Sequence, residues 1–125
     1  MRLLLDTHLV YWSYYEARRL PQEARQLLIG AEAVYVSAAS IWEIAIKAKL
    51  GKIKADPKKI VELLPASGFR SLSVRASHAA AVVDLPLHHT DPFDRLLVAQ
   101  AMREPLRLVT CDAQLKVYSD LIVVV

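Results

Sequence analysis

Thirteen Asp and Glu residues are scattered through 125 positions, and four of them are incompletely explained by local pattern: Asp6, Glu43, Asp94 and Asp112. Asp6 ends the apolar run Leu3-Leu4-Leu5, and Asp112 follows Leu108-Val109-Thr110-Cys111. Each precedes a stretch of helical character, so each also reads as a helix N-cap. Asp91-Pro92-Phe93-Asp94 is a helix start, with Asp91 at the N-cap, Pro92 at N1 and Asp94 at N3. Capping explains most of Asp91, and the helix dipole favours Asp94 in the first turn. Glu43 is the hardest to explain. It sits inside Ile41-Trp42-Glu43-Ile44-Ala45-Ile46, and a helix apolar nearly all round is a buried one. A lone carboxylate there is costly or takes up a proton. Lys47 stands four residues on, in the favourable order. An exposed pair of that kind contributes only about 0.3–0.5 kcal/mol, too little to justify burying the charge.

Together the four acids say more. A parallel sheet can set the ends of its first and fourth strands side by side, which joins Asp6 to Asp112. Glu43 and Asp94 lie in early turns of helices that start at the same edge. Carboxylates gathered in one volume repel and raise one another's pKa. A hard divalent cation removes the conflict, because Mg²⁺ takes oxygen ligands from a few carboxylates, water and substrate phosphate. Carboxylate-held Mg²⁺ or Mn²⁺ suits phosphodiester hydrolysis. Gly30, Gly51 and Gly68 stand isolated, so no glycine-rich loop is available to cradle a nucleotide.

The elements that must position these acids follow from short apolar runs alternating with helical ones. Strands are expected at 3–5, 33–36, 69–74, 107–110 and 122–124. Helices are expected at 8–17, from Pro21 at N1 to Gly30, from the Ser37 cap to about Leu50, from Pro57 to near Pro65, at 76–83 and from Pro92 to about Arg103, with a short one starting at Asp112. This alternation predicts an α/β fold, a parallel sheet covered on both faces, with sites beyond the carboxyl ends of the strands. One domain is expected to fill residues 1–125.

Composition excludes other classes. The chain is 54% hydrophobic and 23% charged, so it is neither disordered nor fibrous. Its one cysteine excludes an intramolecular disulfide and a Cys-rich zinc site, and points to a reducing compartment. No apolar run reaches the roughly 18–20 residues a membrane span needs, and Asp6 and His8 break the N-terminal run too early for a secretory signal. A cytoplasmic location is therefore expected. The net charge is +3, and six lysines lie between Lys47 and Lys59 against one acid, Asp56. Such a run is either a solvated helix end or a phosphate-attracting patch. His88-His89 is a surface loop or a substrate contact. Ser37 and Ser40 read as caps, Cys111 as a small buried residue, and Trp12, Tyr14, Tyr15 and Trp42 as core or interface.

Leu3-Leu4-Leu5-Asp6-Thr7-His8, Ser40-Ile41-Trp42-Glu43, the stretch from His88 to Ala101 and Val109-Thr110-Cys111-Asp112 resemble the PIN-domain family, most of all its VapC-type toxin ribonucleases. The resemblance covers the whole chain in order, and residues 88–101 are its most specific part. It implies a three-layer α/β/α sandwich and a Mg²⁺- or Mn²⁺-dependent endoribonuclease. The family's four acids fall on Asp6, Glu43, Asp94 and Asp112, with Asp91 an additional acid that could join as an outer ligand. It also implies a homodimer and a cognate antitoxin protein. Arg95, Lys47, Lys49, Lys52 and His89 are the candidates for contacting an RNA substrate. Three alternatives stay in view. A nuclease of the same fold could act on DNA or on particular structures, and a catalytically silent module could bind RNA without cutting it. A phospho-acceptor receiver domain would need paired acids after the first strand and a lysine beyond the last, and both are missing.

Overall fold

The computed structural model describes residues 1–125. Five parallel strands form one sheet: β1 (Arg2–Leu5), β2 (Ala33–Ser37), β3 (Phe69–Leu72), β4 (Arg107–Thr110) and β5 (Ile122–Val124), in the order β3-β2-β1-β4-β5. Six α-helices, α1 (Thr7–Tyr15), α2 (Gln22–Gly30), α3 (Ala38–Lys49), α4 (Pro57–Leu63), α5 (Ala76–Ala81) and α6 (Pro92–Arg103), flank it, with 3₁₀ turns at Ala17–Arg19, Val82–Asp84 and Ala113–Tyr118. The result is a three-layer α/β/α sandwich.

The period of two along β1 sets the layers. Leu3 and Leu5 enter one core with Leu9 and Val10 of α1, Ile44 of α3 and Ile60 of α4. Leu4 enters the other with Leu97, Val98 and Ala101 of α6 and Leu108 of β4. All three leucines are buried, and each such side chain contributes about 1.5–3 kcal/mol. That burial fixes the end of β1, and with it Asp6.

Strand order reverses at β1, whose neighbours are β2 on one side and β4 on the other. A crevice forms beyond the carboxyl ends at such a point. Several boundaries differ from expectation. Pro21 is the N-cap of α2 rather than its first helical residue. Strand β3 ends at Leu72, not Val74, and the helix after Ala76 tightens into a 3₁₀ turn at Val82. The segment after Asp112 is 3₁₀ rather than α. No helix is long and apolar enough to cross a membrane.

Candidate metal centre

Asp6 lies directly beyond β1 and caps α1, its Oδ1 accepting from the Leu9 amide at 3.0 Å. Its Oδ2 accepts from the Thr110 hydroxyl at 2.6 Å, across the β1–β4 junction. Asp112 follows β4 and caps the next 3₁₀ turn, with Oδ1 accepting from the Gln114 amide at 2.9 Å. Each cap uses one oxygen of the carboxylate; the other accepts one further bond, from Thr110 in Asp6 and from His89 in Asp112, and keeps a second lone pair. Asp94 is in the first turn of α6, behind the Asp91 cap. Asp6, Asp94 and Asp112 line one cavity of about 320 Å³, with His8, Trp12, Arg19 and Cys111 on its other walls.

Buried hydroxyls fasten the acid-bearing elements to one another. Ser37 ends β2, caps α3 through the Ala39 amide, and donates to Gln100 Oε1 on α6 at 2.6 Å. This locks the helix of Glu43 to the helix of Asp94. Thr7 at the start of α1 donates to Ser40 of α3 at 3.0 Å. These four polar groups are buried and mutually satisfied, as interior polar groups must be.

Glu43 is buried on α3. Lys47 does pair with it, Nζ to Oε2 at 2.8 Å. The pair satisfies only half of the carboxylate, because Oε1 is buried without a partner. Burial and the charges of Asp91, Asp6 and Glu43 push the Asp94 carboxyl up to about 7, partly offset by His89. Burial also raises Asp6, against the Thr110 hydroxyl and Leu9 amide that favour its charged form. Of the four acids expected to meet, Asp6, Asp94 and Asp112 share the cavity wall, whereas Glu43 is not among its lining residues and is felt at Asp94 through its charge.

His89 belongs to the same cluster. Its Nδ1 accepts from the Asp91 amide at 3.1 Å, which leaves the proton on Nε2. Nε2–H donates to Asp112 Oδ2 at 3.0 Å and lies 3.7 Å from Asp94 Oδ2. Ligand atoms of His89, Asp94 and Asp112 all lie within 4.8 Å of one another. In the sequence His89 offered only an adjacent histidine and no ligand spacing.

The other residues expected to touch a substrate do not line this cavity. The Arg95 guanidinium is engaged within the protein. Its guanidinium donates to the carbonyls of Pro86, His89, Val82 and Leu85 and to the Tyr118 hydroxyl, all at 2.9–3.4 Å. It therefore braces the loop that carries His89. Lys47 is engaged by Glu43. Lys49 and Lys52 are exposed. Asp91 Oδ1 caps α6, accepting from the Phe93 and Asp94 amides. Burial and the nearby Asp6 charge push the Cys111 thiol up, which disfavours the thiolate a nucleophile needs.

An oxygen-rich donor set with a buried, unpartnered carboxylate oxygen and an acid raised by its neighbours fits a hard divalent cation. Asp6, Asp94 and Asp112 could hold it, with Glu43 behind them.

The comparisons agree with this geometry. The PIN-domain family model matches residues 3–121. Ribonuclease VapC22 of Mycobacterium tuberculosis is 35% identical over 116 residues, covering 91% of this chain and 89% of the relative. Among solved structures, a toxin-antitoxin complex from Klebsiella pneumoniae has a chain with TM-score 0.69 at 19% identity, over 97% of this chain and 95% of that one. VapBC2 from Rickettsia felis, bound to a DNA fragment from its promoter, has TM-score 0.71 at 15% identity, over 100% and 98%. At those identities the structures speak for the fold. With the family match spanning most of the sequence and the curated relative above 30% identity, the chain belongs to the PIN-domain family, as a VapC-type member.

Proposed function

We propose that the chain is a divalent-metal-dependent endoribonuclease, the toxin component of a toxin–antitoxin pair. The observation that carries the reading is the meeting of Asp6, Asp94 and Asp112 on one cavity at the β1–β4 junction. The name of the relative VapC22, a ribonuclease, supports RNA as the substrate.

Asp6, Asp94 and Asp112 would hold Mg²⁺ or Mn²⁺, directly or through water, with Asp91 behind them as the α6 cap and an outer charge. The chemistry such a cation supplies is neutralisation of charge at the phosphate and activation of water. Glu43, with one oxygen held by Lys47 and the other free, completes the cluster or orients the attacking water. His89 Nε2–H donates to Asp112 Oδ2 and so orients that carboxylate toward the cavity. Water attacking phosphorus in line with O3′ forms a new P–O bond as P–O3′ breaks; the water gives up one proton and the leaving 3′-oxygen takes one from solvent, which yields a 5′-phosphate and a 3′-hydroxyl.

The partners follow from the same reading. Toxin–antitoxin complexes among the structural neighbours support a cognate antitoxin. Trp42 is 62% exposed beside Phe93, and Ile46 and Leu50, four and eight residues on, are exposed along the same face of α3, which supports a homodimer. A cytoplasmic location suits an RNA substrate.

The test is cleavage of RNA with Mg²⁺ or Mn²⁺, with EDTA and Asp6→Asn as controls and DNA of the same sequence in parallel. Metal-dependent RNA cleavage that disappears in Asp6→Asn is expected. Unchanged cleavage in Asp6→Asn overturns the mechanism. Preferential cutting of DNA overturns the substrate. Binding without cleavage, unaffected by Glu43→Gln, makes the chain a silent RNA-binding module.

A further inference from the structure

A second hollow, of about 420 Å³, adjoins the acidic cavity, and Arg19 lines both. Its walls include Lys52 and Lys54, with Tyr11, Ile53 and a single acid, Glu16. The charge therefore reverses across Arg19, from three carboxylates on one side to two lysines and one carboxylate on the other.

The fold builds this reversal. Gly51, at φ +73°, ends α3 with the Gly51 amide on Ala48 O and the Lys52 amide on Lys47 O. That is a glycine-terminated helix end, and it turns the chain back on itself. The returning segment is anchored twice. Ile53 packs on the core with Leu9 and Ile44, and the Asp56 amide donates to the Tyr15 hydroxyl at 2.9 Å. With Ile53 turned inward, Lys52 and Lys54 on either side are exposed. The lysine run of the sequence is thereby divided. Lys47 is paired with Glu43 and Lys59 with Glu62, whereas Lys52 and Lys54 make no ion pair and share one hollow.

Arg19 is placed as firmly. It ends the 3₁₀ turn after α1, and Arg25 of α2 holds that turn through the Ala17 carbonyl. Its guanidinium lies 4.8 Å from the Trp12 ring centroid and 3.1 Å from Glu16 Oε2. The Glu16 pair is open to solvent on both sides, so it yields readily to a phosphate.

The geometry points to a binding site for the sugar–phosphate backbone of single-stranded RNA, in which Arg19, Lys52 and Lys54 hold the phosphates next to the one at the acids. The inference rests on the nuclease reading of the acidic cavity and gives the strand a path. Where the acids hold a cation, one phosphate is neutralised. The flanking phosphates face residual negative charge and need cations from the protein. Arg19 stands at that boundary. Backbone contacts of this kind set register rather than sequence, and Arg19 acts as a positioning residue.

The experiment measures binding of a short labelled single-stranded RNA in EDTA across a salt series. It compares Arg19→Gln/Lys52→Gln/Lys54→Gln with Arg70→Gln/Arg103→Gln/Arg107→Gln, which removes equal charge from outside both hollows. Each single-strand phosphate contact contributes about 0.7 to the slope of log K against log salt. The first triple variant is expected to flatten that slope by about 2 and weaken binding at least tenfold at low salt, with melting unchanged. Arg19→Lys restores most of the Arg19 share. With Mg²⁺, Lys52→Gln/Lys54→Gln is expected to raise KM with little change in kcat. Equal slopes in the two triple variants, or no loss in the first, overturn the site while leaving metal-dependent cleavage by the wild type intact. Loss of slope without any metal-dependent cleavage keeps the site and removes the nuclease.

Discussion

The Thr110 hydroxyl donates to Asp6 Oδ2 at 2.6 Å across a sequence separation of 104 residues. This bond joins the ends of two adjacent strands and favours the charged form of a carboxylate that burial pushes up. Thr110→Val keeps the shape and removes the donor. It is expected to cost about 1.5–3 kcal/mol in urea unfolding and to lower the affinity for Mn²⁺ several-fold. Thr110→Ser should recover most of both losses. A Thr110→Val protein as stable as wild type contradicts this account of Asp6.

Asp94 sets the pH response. Its carboxyl is pushed up to about 7 in the folded chain, against 3.8 for the free group. Between those values the folded chain keeps a proton that the unfolded chain has released. Stability of the metal-free protein therefore falls as pH rises from about 4 to 7, then levels off. Asp94→Asn is expected to flatten this slope and to raise the metal-free melting temperature at pH 8, while abolishing cleavage. Mg²⁺ is expected to raise the wild-type melting temperature more at pH 8 than at pH 6, because its ligand must first lose that proton. An equal shift at both pH values removes Asp94 from the ligand set.

Glu43 and Lys47 are not equivalent partners. Glu43→Gln removes a charge that other acids repel, so the metal-free stability is expected to change by less than about 1 kcal/mol. Cleavage is expected to fall by roughly 10²-fold or more, the usual scale for a positioned acid or base. Lys47→Met leaves the buried carboxylate without its one partner and is expected to destabilise by about 1–3 kcal/mol. Thermal melts without metal and single-turnover cleavage separate the two. The reverse order of destabilisation contradicts the assignment of Glu43.

Tyr118 is the hub under His89. Its hydroxyl accepts from the amides of His88 at 3.2 Å and His89 at 2.8 Å and from Arg95 Nη1 at 3.1 Å. Tyr118→Phe is expected to cost about 1–2 kcal/mol and to speed hydrogen exchange at the His89 amide. Arg95→Lys is expected to do the same, since one ammonium cannot reach acceptors on both sides of the loop. If cleavage is undiminished while the loop exchanges faster, His89 has no part in the reaction.

The sequence revealed the acids and their elements because both signals are local. An apolar run followed by Asp gives a strand end and a cap, as at Asp6 and Asp112, and Asp91-Pro92 marks the start of α6. Each cap occupies one oxygen of its carboxylate, and the other oxygen is turned toward a residue distant in sequence, Thr110 for Asp6 and His89 for Asp112. Side-chain direction stayed hidden. Arg95 looked like a phosphate contact, yet its guanidinium is turned into a loop whose carbonyls no pattern could locate. Ser37 and Ser40 were legible as caps but not as bolts to Gln100 and Thr7, because those partners lie far away in sequence. Arg19 gave no signal at all, since a three-residue 3₁₀ turn has no periodicity.

The catalytic hollow draws on both ends of the chain, with β4 seated beside β1 before Asp112 can reach Asp6. Three of the four acids precede the end of α6, whereas Cys111 and Asp112, which line the hollow, follow it. The pocket therefore gains its far wall only when β4 is laid beside β1.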